Sequence, residues 1–436
     1  MKKVLVFQGP VSSRSGYGDH SRDLLKSLIN MDKYIIKIVD LRWGDCPRNG
    51  ILEKDNNIKS LIVNPQSITQ QPDVFIQVSV PNEFNPIGKY NIGITAGIET
   101  DVCSAGWIEG LNRMQLILVP SNHAKKVFES TIFDKVDERT QQKVAEVKCT
   151  TPVEVLFEGL NLEVFNKTTD IENSVQEQMS VVKEKFCFLY CGHWLNGALG
   201  HDRKDTGMTV KTFIETFKNN PSSTRPALVM KTSSATFSVT DREMILQNIK
   251  RLRQQYGKNC PNIYLLHGDL TDDEMNSLYN HPKIKAMVSF THGEGFGRPL
   301  LEFSVTGKPV IASNWSGHID FLTPHSTLLP GEIKEVHQSA QWKDVIIKGS
   351  KWFYVNYGYA SKVLKEVFKN YKVFLDGSRK QARLSREKFS LSAMTEEFKR
   401  ILDSYMVEKV DIKLPKLQQL NKPPKVKLPK LKKITT

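Results

Sequence analysis

The chain has 436 residues, of which 39% are hydrophobic and 25% charged, the balance of a globular protein long enough for two hydrophobic cores. No run approaches the ~18 apolar residues of a membrane span, and the opening apolar run, Val4 to Phe7, is too short for a secretory signal, so a soluble cytoplasmic protein is expected. The net charge of +14 is uneven: nine lysines against Glu408 and Asp411 place half of the excess in residues 407–436, and the remainder is only mildly basic.

In chain order, KVLVF (3–7) reads as a buried strand, followed by the Gly/Ser-rich stretch GPVSSRSGYG and a helix from about His20 to Asn30. Strands are expected at IIKIVDL, VFIQVSV (74–80), YNIGITAG (90–97) and QLILVPS (115–121), with helical stretches such as AKKVFES between them. Between about Asn166 and Lys185 the chain is polar and poor in strand formers. A second series follows: FCFLYCG (186–192), ALVMKT (227–232), IYLLHG (263–268), KAMVSF (285–290) and KPVIAS (308–313), separated by helices such as MTVKTFIETF and REMILQNIKRLRQQY. Strands alternating with helices imply two doubly wound parallel α/β domains, with ligands bound outside the carboxyl ends of the strands. The expected division is 1–175, 176–388, an amphipathic helix in 389–406 capped by Ser390 or Ser392, and an extended, Pro-broken basic tail at 407–436. The six cysteines form no C-x-x-C pair and no zinc spacing; Cys187 and Cys191 share one face of a strand and read as buried thiols.

The densest signal is SFTHGEGFGRPLLEFSVTGKPVIAS, residues 289–313: a strand, a Gly-rich loop, and a helix opened by Pro299. Gly293, Gly295 and Gly297 permit close approach of a ligand to the main chain, and a helix start suits a diphosphate. Glu302 is expected in about the first helical turn, where a carboxylate matches the two hydroxyls of a ribose; Glu294 points into the same cleft. A dehydrogenase is excluded: the Gly16–Gly18 pair lacks a third glycine and begins well after the strand.

This segment resembles the signature of the family-4 retaining glycosyltransferases of the GT-B fold. VPSNHAKKVF, VLFEGLNLEVF, DRKDTGMTVKTFIETF and FSLSAMTEEFKRIL agree with that family in order and spacing, so the resemblance covers residues 1–406. It implies two Rossmann-like domains, an acceptor side at the N-terminus and a donor side at the C-terminus, and transfer from a nucleotide-diphosphate sugar. Glu302 would hold the ribose, Glu294 would lie beside the donor sugar, and Arg203 and Lys204 would face the diphosphate. Gly295, Phe296 and Gly297 would contribute to donor binding, Gly16 and Gly18 would close over it, and Lys231 is a further candidate for the same pocket. Where family members often carry a histidine, the chain reads TAGIETD, so Glu99 is the candidate on the sugar side, with His20 and His123 as substitutes. No D-x-D pair occurs, which implies a reaction without a metal or other cofactor. A catalytically silent sugar-nucleotide or nucleic-acid binding protein of the same fold is the alternative. The acceptor stays open among glycan, lipid, protein and modified DNA base; the basic tail suits nucleic acid phosphates or an anionic membrane equally, or is simply a solvated tail, the commonest meaning of such a charge run.

Overall fold

The computed structural model describes residues 2–51, 55–137, 139–195, 197–234, 237–257 and 260–406. The tail 407–436 therefore lies outside the described residues. The first parallel sheet contains β1 (Lys3–Gly9), β2 (Tyr34–Asp40), β3 (Val74–Val78), β4 (Tyr90–Ile94), β5 (Leu116–Val119) and, after the exposed hairpin β6 (Ile132–Val136) and β7 (Lys143–Lys148), β8 (Val153–Val155). Its order is β2-β1-β3-β4-β5-β8. The helices are α1 (Gly16–Met31), α2 (Asn56–Lys59), α3 (Ala105–Leu111) and α4 (Asn122–Ser130). Strands buried on both faces read as continuous apolar runs. In β5, Leu116 and Leu118 enter the core beneath α1, while Ile117 and Val119 enter the core beneath α3 and α4.

After α5 (Asn173–Ser180) the second parallel sheet is built from β9 (Cys187–Cys191), β10 (Ala227–Lys231), β11 (Ile263–Leu266), β12 (Ile284–Ser289), β13 (Val310–Ser313) and β14 (Thr327–Leu329). Its order is β11-β10-β9-β12-β13-β14. Around it lie α6 (Thr206–Phe217), α7 (Val239–Gln254), α8 (Asp272–Asn280), α9 (Arg298–Ser304), α10 (Ile319–Leu322), α11 (Tyr357–Lys369) and α12 (Tyr371–Lys388). Phe188 and Tyr190 of β9 fill one core and Cys187 and Leu189 the other; Cys191 packs on the same side as Cys187, and all six cysteines are free thiols.

The ten strands expected from the sequence are present, each shortened or extended by a few residues. Four features add to them: the edge strands β8 and β14, the β6–β7 hairpin, and a second hairpin of β15 (Gly331–Glu335) and β16 (Lys351–Val355). These strands are short or carry mixed polar residues, so they lack the apolar period that marks a strand in sequence.

The last helix, α13 (Leu391–Tyr405), is capped by Ser390, whose Oγ accepts from the amide of Ala393. It returns to the first sheet, where Met394, Phe398, Ile401 and Leu402 join Leu24, Leu25 and Leu28 of α1. Four such side chains at ~1.5–3 kcal/mol each hold it there. Among the described residues no helix is long and apolar enough to cross a membrane.

Candidate active site

Each sheet has a switch point, where the strand order runs outward on both sides: between β1 and β3 in the first sheet, and between β9 and β12 in the second. Ligands of such sheets bind outside the carboxyl ends of these strands. Four of the expected site residues lie in loops at the carboxyl ends of strands. Arg203 and Lys204 lie in the loop after β9, Glu294 in the loop after β12, and Glu99 in the loop after β4.

The basic loop is fixed from behind. The Asp205 amide donates to the Asp202 carbonyl at 2.7 Å, and Asp202 Oδ2 accepts from the Thr206 amide at 2.9 Å. Asp205 adopts the left-handed conformation (φ 50°), a costly state for a non-glycine residue, and is held in it by Tyr357, whose hydroxyl donates to its carboxylate at 2.7 Å. The Arg203 carbonyl accepts from the His292 amide at 3.1 Å, which ties the basic loop to the Gly-rich loop.

Both cations are paired. Arg203 Nη1 donates to Glu99 of the other domain, and Lys204 Nζ to Glu294. Burial raises the Glu294 carboxyl, but Lys204 and Arg203 outweigh it and hold Glu294 below its ordinary range. Burial lowers the Lys204 ammonium, which Glu294 only partly offsets. The arrangement is a partly buried, charge-balanced quartet at the strand ends of the two sheets.

Glu302 is in the second turn of α9, four residues beyond Arg298, rather than in the first turn, so the helix start does not stabilise it. Arg298 Nε donates to its Oε1 at 3.1 Å, and the Tyr279 hydroxyl to its Oε2 at 2.9 Å. Burial lifts the Glu302 carboxyl to about 8 against the opposing pull of Arg298.

The glycines have a use that the sequence did not indicate. A Cβ on Gly293 would lie 2.1 Å from the Glu99 carbonyl oxygen, and one on Gly295 would lie 1.9 Å from that of Ala96. They allow the two domains, and not only a ligand, to approach main chain to main chain. Ser121 Oγ donates to the Gly295 carbonyl at 2.6 Å, and Asp320 Oδ2 accepts from the Asn122 amide at 2.8 Å, completing that seam. Phe296 puts its ring in the core against Phe321, centroids 5.1 Å apart, so any contribution it makes to a donor comes from its main chain.

Gly16 and Gly18 are not a loop. They form the first turn of α1, because Ser15 Oγ accepts from the Gly18 amide and the cap overcomes the poor helix propensity of glycine. Gly18 packs against the Ser13 carbonyl, where a Cβ would be 2.1 Å away. Lys231 ends β10 with Nζ 5.5 Å above the Phe237 ring. His20 is buried and pushed down to about 3 by desolvation, then by Arg298, so it is a neutral imidazole with Nδ1 unpartnered. His123 packs edge-on against Trp315, and burial lowers it to about 4.

Asp23, Glu158, Tyr279 and Arg298 were not singled out in the sequence. Arg298 stands inside the motif and at i,i+4 from Glu302, which was a readable signal. Asp23 and Glu158 come from α1 and from the segment after β8, and nothing local marks them. Among the described residues no group of three or more His, Cys, Asp or Glu side chains is arranged to hold a metal ion.

The sequence matches no protein-family profile and no curated protein. The structure is similar to a glycosyltransferase from Rickettsia africae at 13% identity, covering 93% of this chain and 99% of that one with a TM-score of 0.61. It is also similar to the sucrose-phosphate synthase of Thermosynechococcus elongatus (12% identity, 93% and 99% covered, TM-score 0.59). A third is the Anabaena protein HepE in complex with UDP and glucose (13% identity, 92% and 100% covered, TM-score 0.58). At these identities the likeness concerns architecture, and with nearly whole chains superposed it establishes that this protein has the GT-B fold: two Rossmann-like α/β domains facing one cleft.

Proposed function

We propose that the protein is a retaining, metal-independent glycosyltransferase that moves a hexosyl or pentosyl unit from a nucleotide-diphosphate sugar to an acceptor. The observation that supports this reading is the meeting of Arg203, Lys204 and Glu294, at strand ends of the second sheet, with Glu99 of the first domain. Arg203 and Lys204 are a fork and a point charge suited to the two phosphates. Glu302, with acceptor capacity left on both oxygens, suits ribose hydroxyls. The HepE complex with UDP and glucose supports a donor of this kind.

In the reaction the bond between the sugar C1 and the diphosphate oxygen breaks, and negative charge grows on the departing nucleoside diphosphate. Arg203, Lys204 and the amides of Gly295–Gly297 stabilise it as preorganised groups. Glu294, tied to Lys204, lies beside the sugar. The acceptor oxygen attacks from the face the diphosphate leaves, and a phosphate oxygen takes its proton, which yields retention without a covalent sugar–enzyme intermediate. Trapping such an intermediate would exclude this course.

The protein is incubated with UDP-, GDP- and ADP-sugars, with and without EDTA, and free nucleotide is assayed. Slow release from one donor, insensitive to EDTA and abolished by Glu302→Ala or Lys204→Ala, is expected. No release and no nucleotide binding would replace this reading with the silent binding protein.

The acceptor side is the first domain. The lysine-rich tail adds a polyanionic surface, DNA or an anionic membrane, as a place of action.

A further inference from the structure

Arg298 opens α9 and stands among three buried carboxylates, Asp23 and Glu158 from the first domain and Glu302 on its own helix. Its Nη2 lies 2.8 Å from Asp23 Oδ2 of α1, its Nε donates to Glu302 Oε1 at 3.1 Å, and its Nη1 is 3.9 Å from Glu158 Oε2. Asp19, on the turn before Asp23, faces the same guanidinium and pairs with Arg22. Asp23, Glu158 and Glu302 are buried, Arg298 is mostly so, and Arg298 Nη1 has no hydrogen-bond partner. Arg298 thus does two things at once. Two edges of its planar fork reach across to the first domain, and the third fixes the carboxylate on its own helix.

We propose that Arg298 is a positioning residue for the donor ribose: it holds the Glu302 side chain in one orientation. The inference rests on the reading of Glu302 as the ribose ligand.

The physical reason is the direction in which Glu302 presents its oxygens, since Arg298 Nε holds Oε1 by a 3.1 Å hydrogen bond along the helix. Tyr279 fixes the other oxygen by donating to Oε2. With both oxygens tied from one side, the remaining lone pairs have a defined direction. Without Arg298 the side chain keeps only the tyrosine and is free to rotate.

A residue that only joined the domains would affect every ligand alike; one that aims Glu302 affects the hydroxyls. UDP, GDP and ADP are each titrated calorimetrically beside their 2′-deoxy counterparts. The wild type is expected to prefer the ribonucleotide by about tenfold or more, the worth of one hydrogen bond to a charged group. Arg298→Met should reduce that preference to about threefold or less, whatever happens to the absolute affinities. Arg298→Lys, which keeps the charge but lacks the Nε arm, should do the same, and it covers the case in which the methionine variant does not fold. Asp23→Asn should retain the preference, because the link from Nε to Glu302 lies within α9. A full ribonucleotide preference in both Arg298 variants overturns the inference and leaves Arg298 as a tie between domains. Equal binding of ribo- and deoxynucleotides by the wild type also overturns it, through Glu302. Absence of any nucleotide binding instead removes the transferase reading on which it stands.

Discussion

Gly293→Ala isolates the contact between domains from everything else at the site. Gly293 is not in the left-handed region, so alanine brings no backbone strain, and the substitution acts only through the methyl group. That methyl would lie 2.1 Å from the Glu99 carbonyl oxygen and 2.9 Å from its carbon, main-chain atoms that have no rotamer by which to escape. The segment bearing Glu99 must therefore recede by roughly 1 Å, since packed atoms do not interpenetrate. That displacement loosens the Arg203–Glu99 pair and the 2.6 Å bond from Ser121 to Gly295. A misplacement of about 1 Å in a reactive geometry costs on the order of 100-fold in rate. Turnover of the selected donor should fall by about that factor, while nucleotide affinity, which the proposed function assigns to the second domain, changes by less than about threefold. Gly106→Ala, where a methyl would meet nothing within 4 Å, is the matched control. Activity of Gly293→Ala within about threefold of wild type, measured beside unchanged nucleotide binding, would show that this seam is not part of the reacting state.

Three further outcomes follow from the same geometry. Ser390→Ala removes the cap of α13 and should lower stability by about 1 kcal/mol, read as a shift of the urea midpoint; no shift would mean that the neighbouring Ser392 replaces it. Lys308 donates to the carbonyls of Tyr279 and His281, and burial lowers its ammonium from 10.5 to about 7, so the unfolded chain binds more protons between those values. Wild-type stability should therefore gain a positive contribution as pH rises from about 7 towards 10, and Lys308→Met should lack it; parallel pH profiles would refute the assignment. Deleting 407–436 removes nine lysines, and if the tail meets a polyanion the salt dependence of DNA or anionic-vesicle binding should flatten; an unchanged slope removes the tail from that role.

Much of the molecule was readable one segment at a time. Ten strands are legible as apolar runs because both sheets are covered on both faces, and α13 is legible because its amphipathic period and a serine cap at 390 or 392 are local properties, the structure choosing Ser390. The short edge strand β14 and the hairpin β15–β16 were missed for the complementary reason: their residues answer to the neighbours they pair with. At the site, the Gly-rich loop and the loop of Arg203 and Lys204 were legible as strand-end segments. Their pairing with Glu99 and Glu294 was not, since Arg203 and Glu99 are 104 residues apart and meet only when the domains close.

The sequence by itself determined two parallel α/β units, the segments that end at their strand tips, and the residue types offered there. Only the tertiary structure decided that Gly293 and Gly295 serve the seam between domains, that Phe296 belongs to the core, and that Arg298 stands among Asp23, Glu158 and Glu302. The difference is one of range. Strand period, helix caps and glycine conformations are fixed within a few residues of chain, whereas a buried charge takes its state from whatever the fold brings within a few ångströms, and sequence separation carries no record of that.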